Sequence, residues 1–278
     1  MRCASLSPDI IFTRCLDGER TLGRTILRET KKIGSKRITG RGLIVNMYIA
    51  AVSDTHGVHG MLDSVPYADV FVHSGDFTGG FVNRVNRTNI SYSHKESFLA
   101  FLSKVERLPH RHKIIVPGNH DQIVEVEPKW AKYEARRRNI FLLVEESVVI
   151  DGVKFYGYPW TKEFYSWFFN RRDIFLQEGV DQIPNDTDIL ISHGPPWGIL
   201  DVNGEDENCG CPYLRERLDI RTPELLKYVI FGHIHESGGK AERLHGMTMV
   251  NAALHGMLLH VETESNMKTI NGEKRLQD

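Results

Sequence analysis

The sequence predicts an α/β fold (an α+β sandwich) in which two packed, mixed β-sheets are flanked by helices. Short apolar runs rich in Val, Ile and Phe recur along the chain, and each ends in a polar cluster. An amphipathic segment between the second and third runs gives a β-α-β order. Further strand-like runs follow late in the chain, which favours two sheets with helices around them rather than one.

Five of the apolar runs are interpreted as strands buried on both faces, because unbroken hydrophobicity over four to seven residues is typical of such strands. They lie at residues 48–53, 69–74, 113–117, 188–192 and 228–231. Additional strands are expected at 148–150, 154–158, 248–251 and 257–261. A helix is predicted at 98–108, where apolar residues recur every three or four positions.

The N-terminal leader differs in charge from the rest of the chain. Residues 1–47 carry ten Lys and Arg against four Asp and Glu, and the remainder has a net charge of −7. The leader also shows no regular hydrophobic period. We therefore expect a basic, flexible extension at residues 1–46, followed by one folded domain at 47–278 whose first strand opens at Met47.

Composition and cysteine positions favour a cytoplasmic, reducing location. The four cysteines include a pair separated by one residue, which is poor geometry for a disulfide. No apolar run approaches the ~20 residues that a membrane span needs. Organelle targeting by the leader is the alternative, although its acidic residues count against a transit peptide. Those residues are Asp9, Asp17, Glu19 and Glu29.

Seven side chains suited to metal binding follow the ends of the five central strands. Because sites in open α/β folds lie beyond the carboxyl ends of strands, we expect these side chains to meet. Carboxylates and imidazoles suit Mn, Fe, Zn and related ions. Because no cysteine belongs to the candidate set, a structural zinc site is not indicated. The candidate ligands are Asp54, His56, Asp76, Asn119, His193, His233 and His235.

The spacing of these candidates favours two metal ions. Asp54 with His56, and His233 with His235, are i, i+2 pairs whose members can face one pocket. Asp76 stands alone in its loop and is the carboxylate that can bridge two cations. Two cations ~3.5–4 Å apart can hold a phosphoryl oxygen and activate a bridging hydroxide for in-line attack on phosphorus. The pattern therefore predicts a metal-dependent phosphoric ester hydrolase.

The polar blocks resemble, in order, the five signature blocks of the calcineurin-like metallophosphoesterase superfamily. They are SDTHG at 53–57, GDFTGG at 75–80, GNHD at 118–121, HGPP at 193–196 and GHIH at 232–235. The resemblance implies that residues 47–278 form a metallophosphoesterase domain, with two mixed sheets flanked by helices, a dinuclear metal site and hydrolase activity. The expected cofactors are two divalent ions, with Mn²⁺ favoured and Fe, Zn, Mg or Co as alternatives.

This resemblance also implies a role for each residue of the blocks. It implies that one metal is held by Asp54, His56, Asp76 and His235. It implies that the other metal is held by Asp76, Asn119, His193 and His233. His120 is expected to be the acid that assists the leaving group or steadies the phosphoryl oxygen, and Asp121 is expected to orient the ring of His120.

A narrower resemblance is to the metallophosphoesterase-domain-containing (brain 239-like) subfamily. It rests on YGYPW at 156–160, FYSWFFN at 164–170, HGPPWGILD at 193–201 and VNAA at 250–253. That subfamily includes phosphodiesterases acting on cyclic nucleotides, which implies a phosphodiesterase on small nucleotides here. Some animal members have Gly at the first His of GHIH, whereas this chain keeps His233.

Two other functions are weighed against the phosphodiesterase. One is a phosphomonoesterase of the same superfamily, and the other is a non-catalytic interaction module on this fold, which typically loses ligands that this chain retains. The protein Ser/Thr phosphatase branch is disfavoured, because Asp76 is followed by Phe-Thr-Gly-Gly instead of an arginine-bearing block. The expected partner is a small phosphate ester such as a nucleotide. The net charge of −1 gives no electrostatic sign of a nucleic-acid or membrane partner, and no clear partner of either kind is expected.

Several other residues admit two interpretations. Aromatic side chains between the third and fourth blocks could stack on a nucleobase or belong to the core, and the sequence leaves both open. They are Trp160, Trp167, Phe168 and Phe169. The Cys209-Gly210-Cys211 segment is expected to be a surface loop leading into a helix. Asn251 is expected to support a ligand loop.

Overall fold

Two mixed β-sheets pack face to face, and helices cover their outer surfaces. The computed structural model describes residues 10–12, 35–39, 42–79, 92–220 and 226–265. Apolar side chains from both sheets fill the space between them. Separate apolar clusters lie between each sheet and its helices. The fold class predicted from the sequence is therefore confirmed.

The first sheet contains seven strands within the described residues. Its order is β1-β15-β3-β4-β5-β6, with β2 paired to β3. Neighbours from β3 to β6 are parallel, whereas β1, β2 and β15 add antiparallel pairings. The strands are β1 (Ile10–Phe12), β2 (Ser35–Thr39), β3 (Gly42–Val52), β4 (Val70–His73), β5 (His112–Ile115), β6 (Phe141–Leu142) and β15 (Met257–Ser265).

The second sheet contains six strands in the order β13-β14-β12-β11-β8-β7. Its four central strands are parallel, and the two edge strands are antiparallel to their neighbours. The strands are β7 (Glu146–Ile150), β8 (Val153–Tyr158), β11 (Ile189–Ser192), β12 (Tyr228–Phe231), β13 (Lys240–Leu244) and β14 (Met247–Asn251). Two short strands, β9 (Thr161–Lys162) and β10 (Asn170–Arg171), form a separate parallel pair.

The helices lie on the outer faces of the sheets. They are α1 (Tyr92–Glu106), α2 (Gln122–Val126), α3 (Pro128–Arg136), α4 (Asp173–Asp181) and α5 (Pro212–Ile220). Apolar residues of α1, α2 and α3 pack on the first sheet, and those of α4 and α5 pack on the second. Among the residues described, no helix combines the length and the hydrophobicity that crossing a membrane requires.

The central strands bury both faces, which explains their unbroken apolar sequence. In β4, Val70 and Val72 face the core between the sheets, while Phe71 faces the helices. In β12, Ile230 faces the inner core and Val229 faces the outer one. Since neighbouring side chains on a strand point to opposite faces, a four-residue apolar run contributes to two cores at once.

The strand β3, which is the first strand that the sequence predicted, is longer than expected. It was expected to begin at Met47 and instead begins at Gly42, because its early residues pair with both β2 and β15. The strands β1 and β2 also lie within the predicted leader. The rest of residues 1–41 lies outside the described residues. The domain boundary between residues 46 and 47 stays a prediction.

Candidate metal centre

The seven side chains proposed from the sequence come together at one end of the two sheets. Asp54 and His56 follow β3, Asp76 follows β4 and Asn119 follows β5, all in the first sheet. The three remaining histidines follow β11 and β12 of the second sheet. Because parallel strands end at a common edge, loops from both sheets meet over the inner core.

The first group of donors consists of Asp54, His56 and His235, whose ligand atoms all lie within 4.8 Å of one another. The His235 Nε2 atom lies 3.3 Å from Asp54 Oδ1 and 3.2 Å from His56 Nε2. Asp54 is fully buried, and its Oδ2 accepts a hydrogen bond from the His233 N–H at 2.9 Å. One carboxylate thus faces two imidazole nitrogens while its other oxygen fixes the neighbouring loop.

The second group consists of Asp76, His193 and His233, again within 4.8 Å. The His193 Nε2 atom lies 3.3 Å from Asp76 Oδ1 and 2.9 Å from Asn119 Oδ1. The rings of His193 and His233 meet edge to face with centroids 5.0 Å apart. This group is buried more deeply than the first, since His193, Asp76 and Asn119 are all inaccessible to solvent.

Asp76 lies between the two groups. Its Oδ1 faces His193 of the second group, while its Oδ2 lies 4.0 Å from His56 Nε2 of the first. The same Oδ2 lies 3.8 Å from His120 Nε2. The arrangement agrees with the sequence argument that a carboxylate alone in its loop is the one able to face two cations.

The hydrogen bond of His193 orients its ring for ligation. Its Nδ1 lies 2.9 Å from the Ser74 carbonyl oxygen, which can only accept, so Nδ1 carries the proton. Nε2 faces the side-chain oxygens of Asp76 and Asn119, so a cation that displaced the Nε2 proton would meet the nitrogen lone pair beside these two oxygen donors. A backbone partner of this kind commonly fixes the tautomer of a metal-binding histidine.

The electrostatics of the centre concentrate negative charge on two buried carboxylates. Burial alone would raise the pKa of Asp76, but His193 overrides it and the pKa lies well below its ordinary value. Burial alone would lower the pKa of His193, yet Asp76 and Asp54 raise it to about 9. Burial and the adjacent His193 lower the pKa of His233 to about 4. With a pKa of about 9, His193 carries a second proton at neutral pH, and a divalent cation bound beside the two ionised carboxylates would displace it.

The backbone around the donors leaves no room for other side chains. A Cβ placed on Gly118 would lie 2.3 Å from Asp76 Oδ1, and one on Gly232 would lie 2.2 Å from Asp54 Oδ2. Four of the donor residues have positive φ, which non-glycine residues adopt at an energetic cost. They are Asp54, His56, Asp76 and His233. The donor set, its burial and the strained backbone around it together fit a pair of divalent metal ions.

His120 lies beside both groups at the exposed side of the centre. Its ring packs edge to face on His56, with centroids 4.6 Å apart, and against Trp167 at 4.4 Å. Its backbone N–H donates to Asp76 Oδ1 at 2.8 Å. The ring therefore lies within reach of any group held between the two sets of donors.

The carboxylate of Asp121 connects two ligand loops. It accepts hydrogen bonds from the backbone N–H groups of Gly118, Phe77 and Thr78 and from the Thr78 hydroxyl. The three contacts from Phe77 and Thr78 join the loop after β4 to the turn after β5, and the contact from Gly118 lies within that turn. The contact with the His120 ring that the resemblance implied is not among them, and that role stays a prediction.

The aromatic residues separate into core and surface. Phe168 and Phe169 are buried, and Trp160 packs on Phe169 beneath the guanidinium of Arg171. Of the four candidates, Trp167 contacts a ring of the centre, that of His120. The sequence analysis did not single out Phe164, whose ring lies 5.3 Å from that of His233. Phe164 could have been identified from the sequence, because it belongs to the same FYSWFFN segment as Trp167.

The supporting residues behave largely as the sequence indicated. Asn251 donates from Nδ2 to the Ile234 carbonyl at 2.9 Å, which braces the loop carrying the last two histidines. Cys211 is buried and leads directly into α5, while Cys209 is partly exposed, and both are free thiols. The sequence analysis did not identify Thr78 as a partner of Asp121, although Thr78 lies within the GDFTGG block.

Comparison with known sequences agrees with this geometry. The family model described as calcineurin-like phosphoesterase matches residues 47–237. The chain is 31% identical to UPF0046 protein K07C11.7 of Caenorhabditis elegans, over 74% of this chain and 69% of that protein. It is 32% identical to human metallophosphoesterase domain-containing protein 1, over 68% of this chain but only 60% of that relative's length.

One solved crystal structure superimposes on the fold with a TM-score of 0.59 at 16% sequence identity. The match covers 79% of this chain and 99% of the other. At that identity the likeness concerns the architecture of sheets and helices alone. It extends beyond the residues of the candidate centre to most of the described chain.

Proposed function

Because the chain belongs to the calcineurin-like phosphoesterase family, we propose that it is a phosphodiesterase acting on small nucleotides, cyclic ones included. The broader statement follows from the family itself: the protein is a metallophosphoesterase, a hydrolase of phosphoric esters. The observation that carries the finer proposal is the complete set of seven donors, arranged as two groups on either side of Asp76.

We propose the following division of the donors between two divalent ions. One ion is assigned to Asp54, His56, Asp76 and His235. The other is assigned to Asp76, Asn119, His193 and His233. Two groupings of neighbouring ligand atoms support this division, with Asn119 added by its 2.9 Å contact to His193. A third grouping joins His56, Asp76 and His120 and places His120 at the boundary between the two ions. Mn²⁺ is the ion we favour, and Fe, Zn, Mg and Co are the alternatives, since carboxylate and imidazole donors serve all of them.

When bound, the ions would supply Lewis-acid polarisation of a phosphoryl oxygen and lower the pKa of a water molecule. The chain's own residues then orient the ester and handle protons. Asp76 faces both groups of donors and thereby fixes their relative position. We assign His120 the proton for the leaving oxygen, delivered from Nε2, because this ring lies on the exposed side where an ester would enter.

A phosphomonoesterase is the second candidate of the same class. The aromatic side chains beside the centre, Phe164 and Trp167, favour the diester because they offer apolar surface to a second ester substituent. A non-catalytic interaction module is disfavoured, because the described structure keeps every donor together with His120. The expected partner is a small phosphate ester.

One assay distinguishes these functions. The purified chain is stripped of metal, reloaded with single divalent ions, and tested on bis(p-nitrophenyl) phosphate, p-nitrophenyl phosphate, and 2′,3′- and 3′,5′-cyclic nucleotides. We expect metal-dependent hydrolysis with preference for the diesters, and Mn²⁺ as the best activator. Preference for the monoester would overturn the diesterase assignment. Folded protein without turnover under any metal would favour the interaction module.

We also propose a reducing, cytoplasmic location. Cys209 and Cys211 are free, and burial raises the pKa of the Cys211 thiol to about 11, so it stays protonated and unreactive. Organelle targeting by the basic leader is the alternative. Imaging a tagged full-length chain and a chain lacking residues 1–46 tests this. Organelle signal that depends on the leader would overturn the cytoplasmic proposal.

A further inference from the structure

A short loop between β9 and β10 carries aromatic residues next to the candidate metal centre. Residues 163–169 form this segment, here termed the aromatic loop. Its base is closed by the parallel pairing of β9 with β10. The Thr161 N–H also donates to the Phe169 carbonyl, and the Glu163 N–H donates to the Arg171 carbonyl. The loop is thus a compact unit whose ends are held side by side.

Side chains hold the aromatic loop in one conformation. Asn170 donates from Nδ2 to the Phe164 carbonyl at 2.8 Å and accepts from the Thr161 hydroxyl at 2.7 Å. Below the base, the Arg171 guanidinium pairs with Glu145 at 2.7 Å and stacks on the Trp160 ring. These contacts fix the direction in which the tip of the loop projects.

The aromatic loop is also tied to the turn that carries a candidate ligand. The Phe168 N–H donates to the Asn119 carbonyl at 3.3 Å, and the Phe169 N–H donates to Glu125 Oε2 at 2.5 Å. Asn119 is a donor of the centre, and Glu125 lies in α2, which begins directly after the same turn. The loop and the centre are therefore positioned relative to each other by direct hydrogen bonds.

Two residues of the loop adopt strained backbone conformations. Tyr165 has φ of 44° and Phe169 has φ of 45°, in the left-handed region that bulky residues rarely occupy. The hydrogen bonds at the base and at Asn119 maintain these conformations. Strained backbone conformations cluster at functional sites, so their presence beside the candidate centre suggests that this loop does more than connect two strands.

The aromatic side chains of the tip lie beside His233 of the second group of donors and beside His120. The Phe164 ring is 5.3 Å from the His233 ring, and the Trp167 ring is 4.4 Å from the His120 ring. Both are only partly buried. Tyr165 lies against Phe164, with ring centroids 6.2 Å apart, and is 90% exposed. A ring so exposed gains almost no burial energy from this chain, so its contribution to folding does not explain it.

We propose that the aromatic loop recognises a planar aromatic group of the substrate, a nucleobase or aryl group joined to the phosphate. This inference rests on the proposed phosphodiesterase function. Phe164 and Tyr165 provide the stacking surface, and Trp167 limits it on the side of His120. Stacking tolerates any base, because each has a flat π-face. The loop therefore selects for the presence of a base rather than for its identity.

The test compares two substrates that share one reactive group. Nucleoside 2′,3′-cyclic phosphates are hydrolysed alongside 1-O-methylribose 2,3-cyclic phosphate, which has the same cyclic diester and no base. For the metal-loaded wild-type chain we expect kcat/KM to be about 10- to 100-fold higher with the base present, the range of one stacked base. The four nucleosides should differ from one another by much less.

Two variants locate the effect on the loop. Tyr165→Ala removes an exposed ring that contacts no candidate ligand, and Phe164→Leu keeps apolar bulk while removing the flat face. Each should lose about 5- to 10-fold in kcat/KM on the nucleoside substrates. Tyr165→Ala should leave the base-free substrate unchanged, whereas Phe164→Leu, which alters a ring beside His233, should slow that substrate by a smaller factor than the nucleosides. Tyr133→Ala is the matched control, because Tyr133 is an exposed tyrosine on α3. It should behave as wild type on both substrates.

The outcomes separate this inference from the function on which it rests. If the wild type hydrolyses neither cyclic substrate nor bis(p-nitrophenyl) phosphate, the phosphodiesterase function fails. If the wild type hydrolyses both cyclic substrates equally well, the function stands and recognition by the loop is overturned. A variant that slows both substrates by the same factor also overturns it, because a purely structural role of the loop would do that.

Discussion

At the scale of the residue, substitutions of Asp76 and His120 are expected to have different effects on metal content and activity. Asp76→Ala removes the only carboxylate that faces both groups of donors, so metal and activity should be lost together. His120→Ala should retain both ions while kcat falls by about 10²- to 10⁴-fold, the usual effect of a lost general acid. Elemental analysis and steady-state kinetics on the same preparations measure this. Equal metal loss in both variants would refute the role given to His120.

Gly118 offers a second test at the residue scale. A Cβ there would lie 2.3 Å from Asp76 Oδ1 and 2.6 Å from His193 Cε1, so the donors must move. Gly118→Ala should weaken metal binding by at least tenfold and cost about 1–3 kcal/mol of unfolding free energy, as overpacking does. Metal titration and denaturant unfolding measure these effects.

Gly60→Ala is the matched control for this substitution. Gly60 is exposed, and a Cβ there would meet nothing within 4 Å. Both glycines lack the positive φ that would strain an alanine by itself, so any difference between the variants comes from crowding at the donors. Unchanged metal affinity in Gly118→Ala would show that the centre tolerates displacement of Asp76.

At the scale of the element, Asp121 connects the loop after β4 with the turn after β5. Asp121→Asn replaces one accepting oxygen with an amide group that cannot accept from a backbone N–H. Leaving buried donors unpaired costs about 1–3 kcal/mol. We expect a lower midpoint of thermal unfolding and weaker metal binding, measured by calorimetry and metal titration.

The same variant decides between two roles for Asp121. If Asp121 acts only by orienting His120, Asp121→Asn should lower turnover without changing stability or metal affinity. In that case the double variant with His120→Ala would be no worse than His120→Ala alone. If Asp121 holds the loops together, as its four hydrogen bonds indicate, the two substitutions should combine with an additional loss of metal affinity.

At the scale of the whole molecule, bound cations would connect the two sheets. The donors follow three strands of the first sheet and two of the second, so metal binding and folding should be coupled. Saturation at 100-fold excess over Kd adds about 2.7 kcal/mol for each site. We expect the midpoint of thermal unfolding to rise by at least about 5 °C when metal is restored to the stripped protein.

Asp76→Ala should abolish this thermal shift. Asp63→Ala, which removes an exposed carboxylate that belongs to no donor block and pairs with Lys104, should retain it. Differential scanning calorimetry with and without a chelator measures both. A metal-dependent shift of full size in Asp76→Ala would mean that the cations bind elsewhere on the molecule.

The sequence by itself determined the fold class and the set of candidate donors. Continuous apolar runs require strands buried on both faces, and the polar residues that follow them must lie at one edge of a parallel sheet. Positions such as Asp54, Asp76 and His193 were predictable because strand ends are local features. The extension of β3 back to Gly42 was not, since the pairing with β2 and β15 creates it.

Only the tertiary structure decided what each side chain contacts. Phe168 is buried and Phe164 faces His233, although both belong to one aromatic segment, because the strained backbone of the loop sets their directions. The Asp121 carboxylate likewise meets Thr78, 43 residues away in sequence. Hydrophobic periodicity determines which segments form strands, whereas the direction of a loop side chain depends on long-range hydrogen bonds and packing that no local pattern records.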